Sequence, residues 1–302
     1  MLDKVAPFDM SMYLKEKREL VDIFLKSYFD KPLLPTMLYD AMKYSLFAGG
    51  KRIRPILTIA SYEACGGNPV DIIPLAAAVE LIHTYSLIHD DLPAMDNDEL
   101  RRGIPTSHKV FGEAMAILAG DALLTEAFLM MTVTTSQKKF RPTYLMKSIR
   151  ELALAAGASG MVGGQAQDIL SENAEPDLHT LNFIHLHKTA ALIKASVRTG
   201  ALLAGIRGNK LKSLTTYGEH IGLAFQIVDD ILDIEGVTEE LGKSAGSDIE
   251  KNKMTYPSLI GIDESKERAQ ELVAEAIKSI REFSSEALPL REIARYLIKR
   301  RT

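Results

Sequence analysis

The sequence predicts an all-α protein, one large helical domain over residues 1–302. Three observations carry this. Apolar residues recur at three- and four-residue spacings along segments rich in Ala, Leu, Ile and Met, which is the period of an amphipathic helix. No run of β-branched residues alternating with polar ones forces a sheet. No low-complexity linker divides the chain, so a length about twice that of a default domain goes into one unit. With 46% hydrophobic and 25% charged residues, the composition is globular and excludes a disordered or fibrous chain.

In order, 75–92, 113–134, 149–170, 178–204 and 211–234 read as apolar-faced helices, and the charged 264–282 as a surface helix with a wider polar face. Breaks fall between them at Gly66-Gly67-Asn68-Pro69, Pro105, Pro142, 173–176, 205–209 and Gly236. The best candidate for a membrane span, 75–92, is interrupted by Glu80 and His83, so no span is expected. The first ten residues carry Asp3, Lys4 and Asp9 and lack a signal-peptide core. Cys65 is the sole cysteine, which excludes an intrachain disulfide and a multi-cysteine metal site and favours a reducing, cytoplasmic compartment. Lys and Arg total 36 against 40 Asp and Glu, a formal charge of -4, so no nucleic-acid partner is expected.

Two acidic clusters end long apolar helices. The first runs from Asp90 and Asp91 to Asp96 and Asp98, and the second comprises Asp229, Asp230 and Asp233. Carboxylates at a helix C-terminus oppose the macrodipole, so something cationic must offset them. Asp229 and Asp233 are four residues apart and share a helical face. Asp90 and Asp96 are six apart, roughly 120° out of register on a regular helix. Pro93 lies between them, so a bulge or an early helix end is expected to return Asp96 to the side of Asp90. Hard oxygen ligands without cysteine point to Mg²⁺, and carboxylates on two facing helices point to a phosphate-bearing ligand bridged by several ions.

Basic residues supply the complement. Gly49-Gly50-Lys51-Arg52-Ile53-Arg54-Pro55 is a glycine-broken basic loop suited to a diphosphate, without the spacing of a nucleotide P-loop. Arg101 and Arg102 follow the first acidic cluster and offer bidentate phosphate binding. His83, seven residues before Asp90, returns to nearly the same helical face about 10.5 Å away. Lys188 and Lys243, by chemistry alone, read as surface residues.

These motifs resemble the trans-isoprenyl diphosphate synthases, in order from about residue 51 to residue 257. The matching residues include Gly164-Gln165 with Asp168, Lys188-Thr189, Phe225-Gln226 before Asp229-Asp230, and Lys253 with Thr255-Tyr256-Pro257. The first aspartate motif, with two extra residues, is of the kind found in bacterial-type farnesyl diphosphate synthases. The resemblance implies an all-α bundle around a deep apolar cavity, assembled as a homodimer. It implies that Asp90 and Asp96 bind two Mg²⁺ ions and Asp229 helps bind a third, with Asp91 and Asp233 as neighbouring members. Arg101, Lys188 and Lys243 would hold an allylic diphosphate. Lys51, Arg54, His83 and Arg102 would hold isopentenyl diphosphate, and Thr189 and Gln226 would line the reacting end. Two departures, Ala190 for Gly and Asn97 for Asp, touch fine positioning only.

The implied reaction ionises the allylic diphosphate, lets the isopentenyl double bond attack the cation, and passes the last proton to the released diphosphate. Segments 241–252 and 299–301 are the candidate closing elements. Tyr85, five residues before Asp90 and about 7.5 Å along the axis, is the candidate floor that sets product length, with Ser86 as its small neighbour. The expected product is the fifteen-carbon farnesyl diphosphate. The alternatives are a geranylgeranyl diphosphate synthase and a non-catalytic subunit that binds a prenyl diphosphate. A terpene cyclase is disfavoured because Asp233 and Val237 stand where its second metal motif has Ser/Thr and Glu.

Overall fold

The Asp9 carboxylate accepts the Met12 amide at 3.0 Å and so starts the first helix, α1 (Met10–Tyr28). The computed structural model describes residues 8–30, 34–132, 139–172, 175–235 and 253–299. After α1 come α2 (Thr36–Leu46), α3 (Ile53–Ala64) and α4 (Pro69–Asp90), then a small hairpin of β1 (Leu100–Arg101) and β2 (Ile104–Pro105). The helices α5 (Ser107–Phe111), α6 (Glu113–Thr132), α7 (Pro142–Ala156), α8 (Met161–Leu170) and α9 (Leu178–Ile184) follow. A π-helical turn (His185–Ala190) joins α9 to α10 (Ala191–Leu203). The chain continues through α11 (Gly208–Glu235), α12 (Tyr256–Ile260), α13 (Ile262–Ser279) and α14 (Leu288–Leu297). The all-α reading holds.

The main departures from the sequence expectation are three. The helix expected over 75–92 starts earlier, because Asn68 caps it and Pro69 fits its first turn, and it ends at Asp90. The segment 149–170 is two helices, separated where Gly157 and Gly160 break the run. The hairpin was not expected: its strands have two residues each, too few to show an alternating pattern, and pair Leu100 with Pro105 and Arg101 with Ile104.

Helix α4 runs through the middle, packed on α6, α3, α1 and α2. One core surrounds α4 and α6 with Leu75, Leu81, Ile82, Leu123 and Met130. A second joins α11, α13 and α14 through Ile221, Ile227, Leu272 and Ile293. Helices α3 and α10 contribute to both, Ile59 and Leu192 to the first and Ile56 and Ile193 to the second. Burial of each such side chain stabilises by about 1.5–3 kcal/mol before conformational entropy is subtracted. By length and composition α4 and α6 would each suffice to cross a membrane. In α4 the apolar run is core: Glu80, 1% exposed, is paired inside the bundle with Arg52.

Candidate active site

The main chain itself returns Asp96 to Asp90. At the end of α4 the Asp91 and Leu92 amides donate to the carbonyls of Leu87 and His89 at 3.1 and 3.2 Å. The Met95 and Asn97 amides both fold onto the Leu92 carbonyl at 2.9 and 3.1 Å, and the Asp96 amide reaches the Asp90 carbonyl at 2.8 Å. Asn97 takes the left-handed conformation, with φ 53°, that completes this reversal. Burial, against the pull of Lys188 and reinforced by the Asp96 carboxylate, pushes Asp90 up to about 6. Asp91 faces elsewhere: its carboxylate accepts from Arg101 Nε at 2.9 Å and from Nη2 of the same guanidinium, which also reaches Asp98 at 3.1 Å. Asp91 therefore holds Arg101 at the edge of the cluster.

Asp229 and Asp233 lie on one face of α11, as their spacing requires, with Asp233 buried. Between them Asp230 turns inward. One of its oxygens accepts from Gln226 Nε2 at 3.1 Å and the other from the Tyr256 amide at 3.0 Å. Gln226 in turn accepts from the Thr189 hydroxyl at 2.7 Å, which brings together the two residues expected at the reacting end. Three residues before Tyr256, Lys253 reaches Asp96 at 2.9 Å. A stretch of three residues spans at most about 10 Å, so this short segment ties the second aspartate cluster to the first.

Thr189 and Lys188 project from the π turn, and Lys188 pairs with Asp168 of α8 at 2.6 Å. The approach of α8 depends on Gly164, where a Cβ would stand 2.1 Å from the Lys188 amide nitrogen. Turns of this kind recur at functional sites, where they break the helical register.

The basic side forms around the loop at 49–54. Arg52, in a left-handed conformation with φ 54°, turns away from the site and into the core. Arg54 instead meets His83, with Nη1 donating to Nε2 at 3.2 Å, and its guanidinium lies 6.0 Å from the centroid of Phe225 on α11. Burial and the surrounding Arg54 and Arg102 hold the His83 imidazole well below its usual range, so it stays a neutral acceptor. Arg102 donates to the Gly49 carbonyl across the loop. Of the four residues assigned to isopentenyl diphosphate, Arg54 and His83 are in contact, and Arg102 borders the loop that carries Lys51.

Tyr85 is buried on α4, where burial and Asp90 push its phenol up to about 12. The Ser86 hydroxyl donates to the His83 carbonyl at 2.9 Å. Lys243 and the segment 241–252 lie outside the described residues, as does most of 299–301. Spacing and residue type alone give no role to Lys253, Asp168 or Asp98. Nothing in spacing signals Lys253, which is 157 positions from its partner.

Magnesium fits the donor set. Asp90, Asp96 and Asp229 offer hard carboxylate oxygens, two of them gathered by the backbone. The raised affinity of Asp90 for a proton reflects burial beside a second carboxylate, and a cation bound there offsets both effects.

The polyprenyl synthetase family profile matches residues 35–293. A geranylgeranyl diphosphate synthase of Cyanophora paradoxa is 49% identical over 294 residues, 97% of each chain. A farnesyl diphosphate synthase of Geobacillus stearothermophilus is 49% identical over 264 residues, 87% of this chain and 89% of that one. The solved geranylgeranyl pyrophosphate synthetase of Pyrococcus horikoshii superposes with a TM-score of 0.87 at 31% identity, covering 96% of this chain and 98% of that one. Likeness of this extent, in sequence and in fold, makes the chain a member of the polyprenyl synthetase family and a trans-isoprenyl diphosphate synthase.

Proposed function

We propose that this trans-prenyltransferase condenses isopentenyl diphosphate with dimethylallyl and then geranyl diphosphate and stops at (E,E)-farnesyl diphosphate. The observation that carries the product length is the buried aromatic ring of Tyr85 on the helix that ends at Asp90.

Asp90 and Asp96 would hold two Mg²⁺ ions and Asp229 a third, with Asp91 and Asp233 supporting them. Bound there, the ions supply positive charge to an allylic diphosphate as it leaves. Arg101, kept in place by Asp91 and Asp98, and Lys188, kept in place by Asp168, add fixed cations around that diphosphate. The Arg54, His83 and Arg102 group, with Lys51, anchors isopentenyl diphosphate so that its double bond faces the allylic carbon. The allylic C–O bond breaks, the new C–C bond forms from the double-bond electrons, and the released diphosphate takes the proton lost. Thr189 and Gln226, linked to each other, line the point of reaction. Because the leaving group accepts that proton, no side chain has to act as base.

A second reading ends at twenty carbons. It is favoured by the name of the Cyanophora relative, as similar to this chain as the Geobacillus farnesyl enzyme is. The deciding experiment supplies Mg²⁺, isopentenyl diphosphate and either starter, then separates the dephosphorylated products by length. A dominant fifteen-carbon alcohol supports the farnesyl reading, and a twenty-carbon alcohol replaces it. Absence of condensation by folded protein favours a non-catalytic subunit.

A homodimer is also part of this reading. Helix α6 packs on α4 yet leaves Ile117, Leu118 and Leu129 43–53% exposed, an apolar face suited to a second copy. Light scattering that returned a monomeric mass at micromolar concentration would refute it.

A further inference from the structure

We propose that His89 is a specificity-determining positioning residue: wedged between the backbone of α6 and the ring of Tyr85, it fixes the height of the cavity floor. The inference rests on the floor role given to Tyr85. Tyr85 and His89 are four residues apart on α4, so their side chains stack along one face. Their rings meet edge to face, with centroids 5.7 Å apart at 82°. On its other side His89 is fastened to α6. Its Nε2 donates to the Ile117 carbonyl at 3.1 Å and stands 3.9 Å from the Asp121 carboxylate.

The fit on α6 requires a residue without a side chain. A Cβ at Gly120 would stand 2.2 Å from His89 Nε2, so any larger residue displaces the imidazole. The wedge therefore has three parts: a glycine that admits the ring, a carbonyl that holds it, and a tyrosine that leans on it. Ser86, the neighbour of Tyr85, is too small to take over this support. Tyr85 turns about two side-chain bonds, and it blocks a growing chain only while it is prevented from swinging aside. Its ring alone does not define the floor; the His89 ring fixed to α6 does so with it.

The test compares the products of the full-length enzyme, with Mg²⁺ and both substrates, for His89→Ala, Gly120→Ala, Tyr85→Ala and the His89→Ala/Tyr85→Ala pair. The readout is the ratio of the next longer product to the main product at matched turnover, which general loss of activity does not move. For His89→Ala the ratio rises roughly two- to tenfold, the equivalent of one lost edge-to-face contact. Gly120→Ala, which alters no residue of α4, raises it as well. The double variant does no more than Tyr85→Ala alone, because the wedge acts through that ring. If Tyr85→Ala lengthens the product while His89→Ala and Gly120→Ala keep the wild-type ratio, the wedge is refuted and the floor stands. If Tyr85→Ala changes nothing, the floor reading fails and the wedge with it. If His89→Ala is inactive through its neighbour Asp90, Gly120→Ala decides.

Discussion

Replacing Arg52 by methionine should destabilise the fold by about 3–5 kcal/mol, the range found when one partner of a buried ion pair is removed. The Arg52 guanidinium donates to Glu80 at 2.8 Å, to Asp22 at 2.9 Å and to the Leu46 carbonyl at 2.8 Å. Burial works against its charge, and Glu80 and Asp22 more than offset this, so its proton is held more tightly than usual. The Arg52 and Glu80 side chains are each only 2% exposed, whereas Asp22 is 29% exposed and can turn to water. The cost of the substitution is thus mainly the Glu80 carboxylate stranded in the core of α4. Methionine keeps the length of the side chain and opens little space, which separates the charge effect from a cavity. At roughly 2–3 °C per kcal/mol for a chain of this size, the melting temperature falls by about 6–15 °C. Thermal and urea unfolding of Arg52→Met and of Arg52→Met/Glu80→Met would measure it. The double variant recovers most of the loss, because no charge is left behind, and the Leu46 carbonyl without its donor accounts for a residue of about 1 kcal/mol. A single variant that loses less than about 1 kcal/mol, or a double variant worse than the single, would refute this account.

Gly164→Ala should cost both stability and turnover, since its Cβ meets the Lys188 backbone rather than a side chain that could move; unaltered kcat would count against the close approach. Lys253→Ala removes a charge-assisted bond to Asp96 and should lower kcat/KM for the allylic substrate roughly ten- to hundredfold, measured at saturating Mg²⁺. Chelation by EDTA should abolish condensation and added Mg²⁺ restore it, with product formation as the readout. The pH dependence of unfolding reports on His185, whose imidazole is pushed by burial down to about 3. Its folded value lies below its unfolded one, so the stability it contributes is complete above about pH 6.5 and is lost as pH falls toward 3. His185→Gln should therefore show a shallower loss across that window, and an unchanged slope would contradict it.

The sequence made the helices legible because their apolar periods were long, and it made the acidic clusters legible because carboxylates after apolar helices are costly. Asp229 and Asp233 share a face for the reason their spacing gives. Other features depend on contacts that spacing does not encode. The break at 157–160 was hidden in a run that stays apolar on both sides. The π turn is hidden in 178–204 because apolar residues lie on both sides of it, so the change of face that its extra residue brings leaves no break in the pattern. Arg52 and Arg54 are two positions apart in one basic loop, yet one enters the core and the other meets His83, a difference set by a single left-handed residue. Asp91 reads as a metal ligand by its place in the motif, whereas its carboxylate grips Arg101. The partnership of Lys253 with Asp96 exists only because the chain folds back across the site.

The reversal after α4 is made by amides and carbonyls, from the Asp96 amide on the Asp90 carbonyl to the two amides sharing Leu92. Every residue but proline carries the same amide and carbonyl, so once Pro93 has ended the helix the bonds that set the separation of the two aspartates draw on no side chain between them. Pro93 and Ala94 are exposed and take no part as donors in these bonds. Ala94 can therefore be exchanged without removing one of these bonds, whereas Pro93 is held to its place by the helix end it enforces. Chemistry is thereby insulated from mutation at Ala94: a tolerant link sits between intolerant anchors, and the motif can vary there in wording without moving its carboxylates.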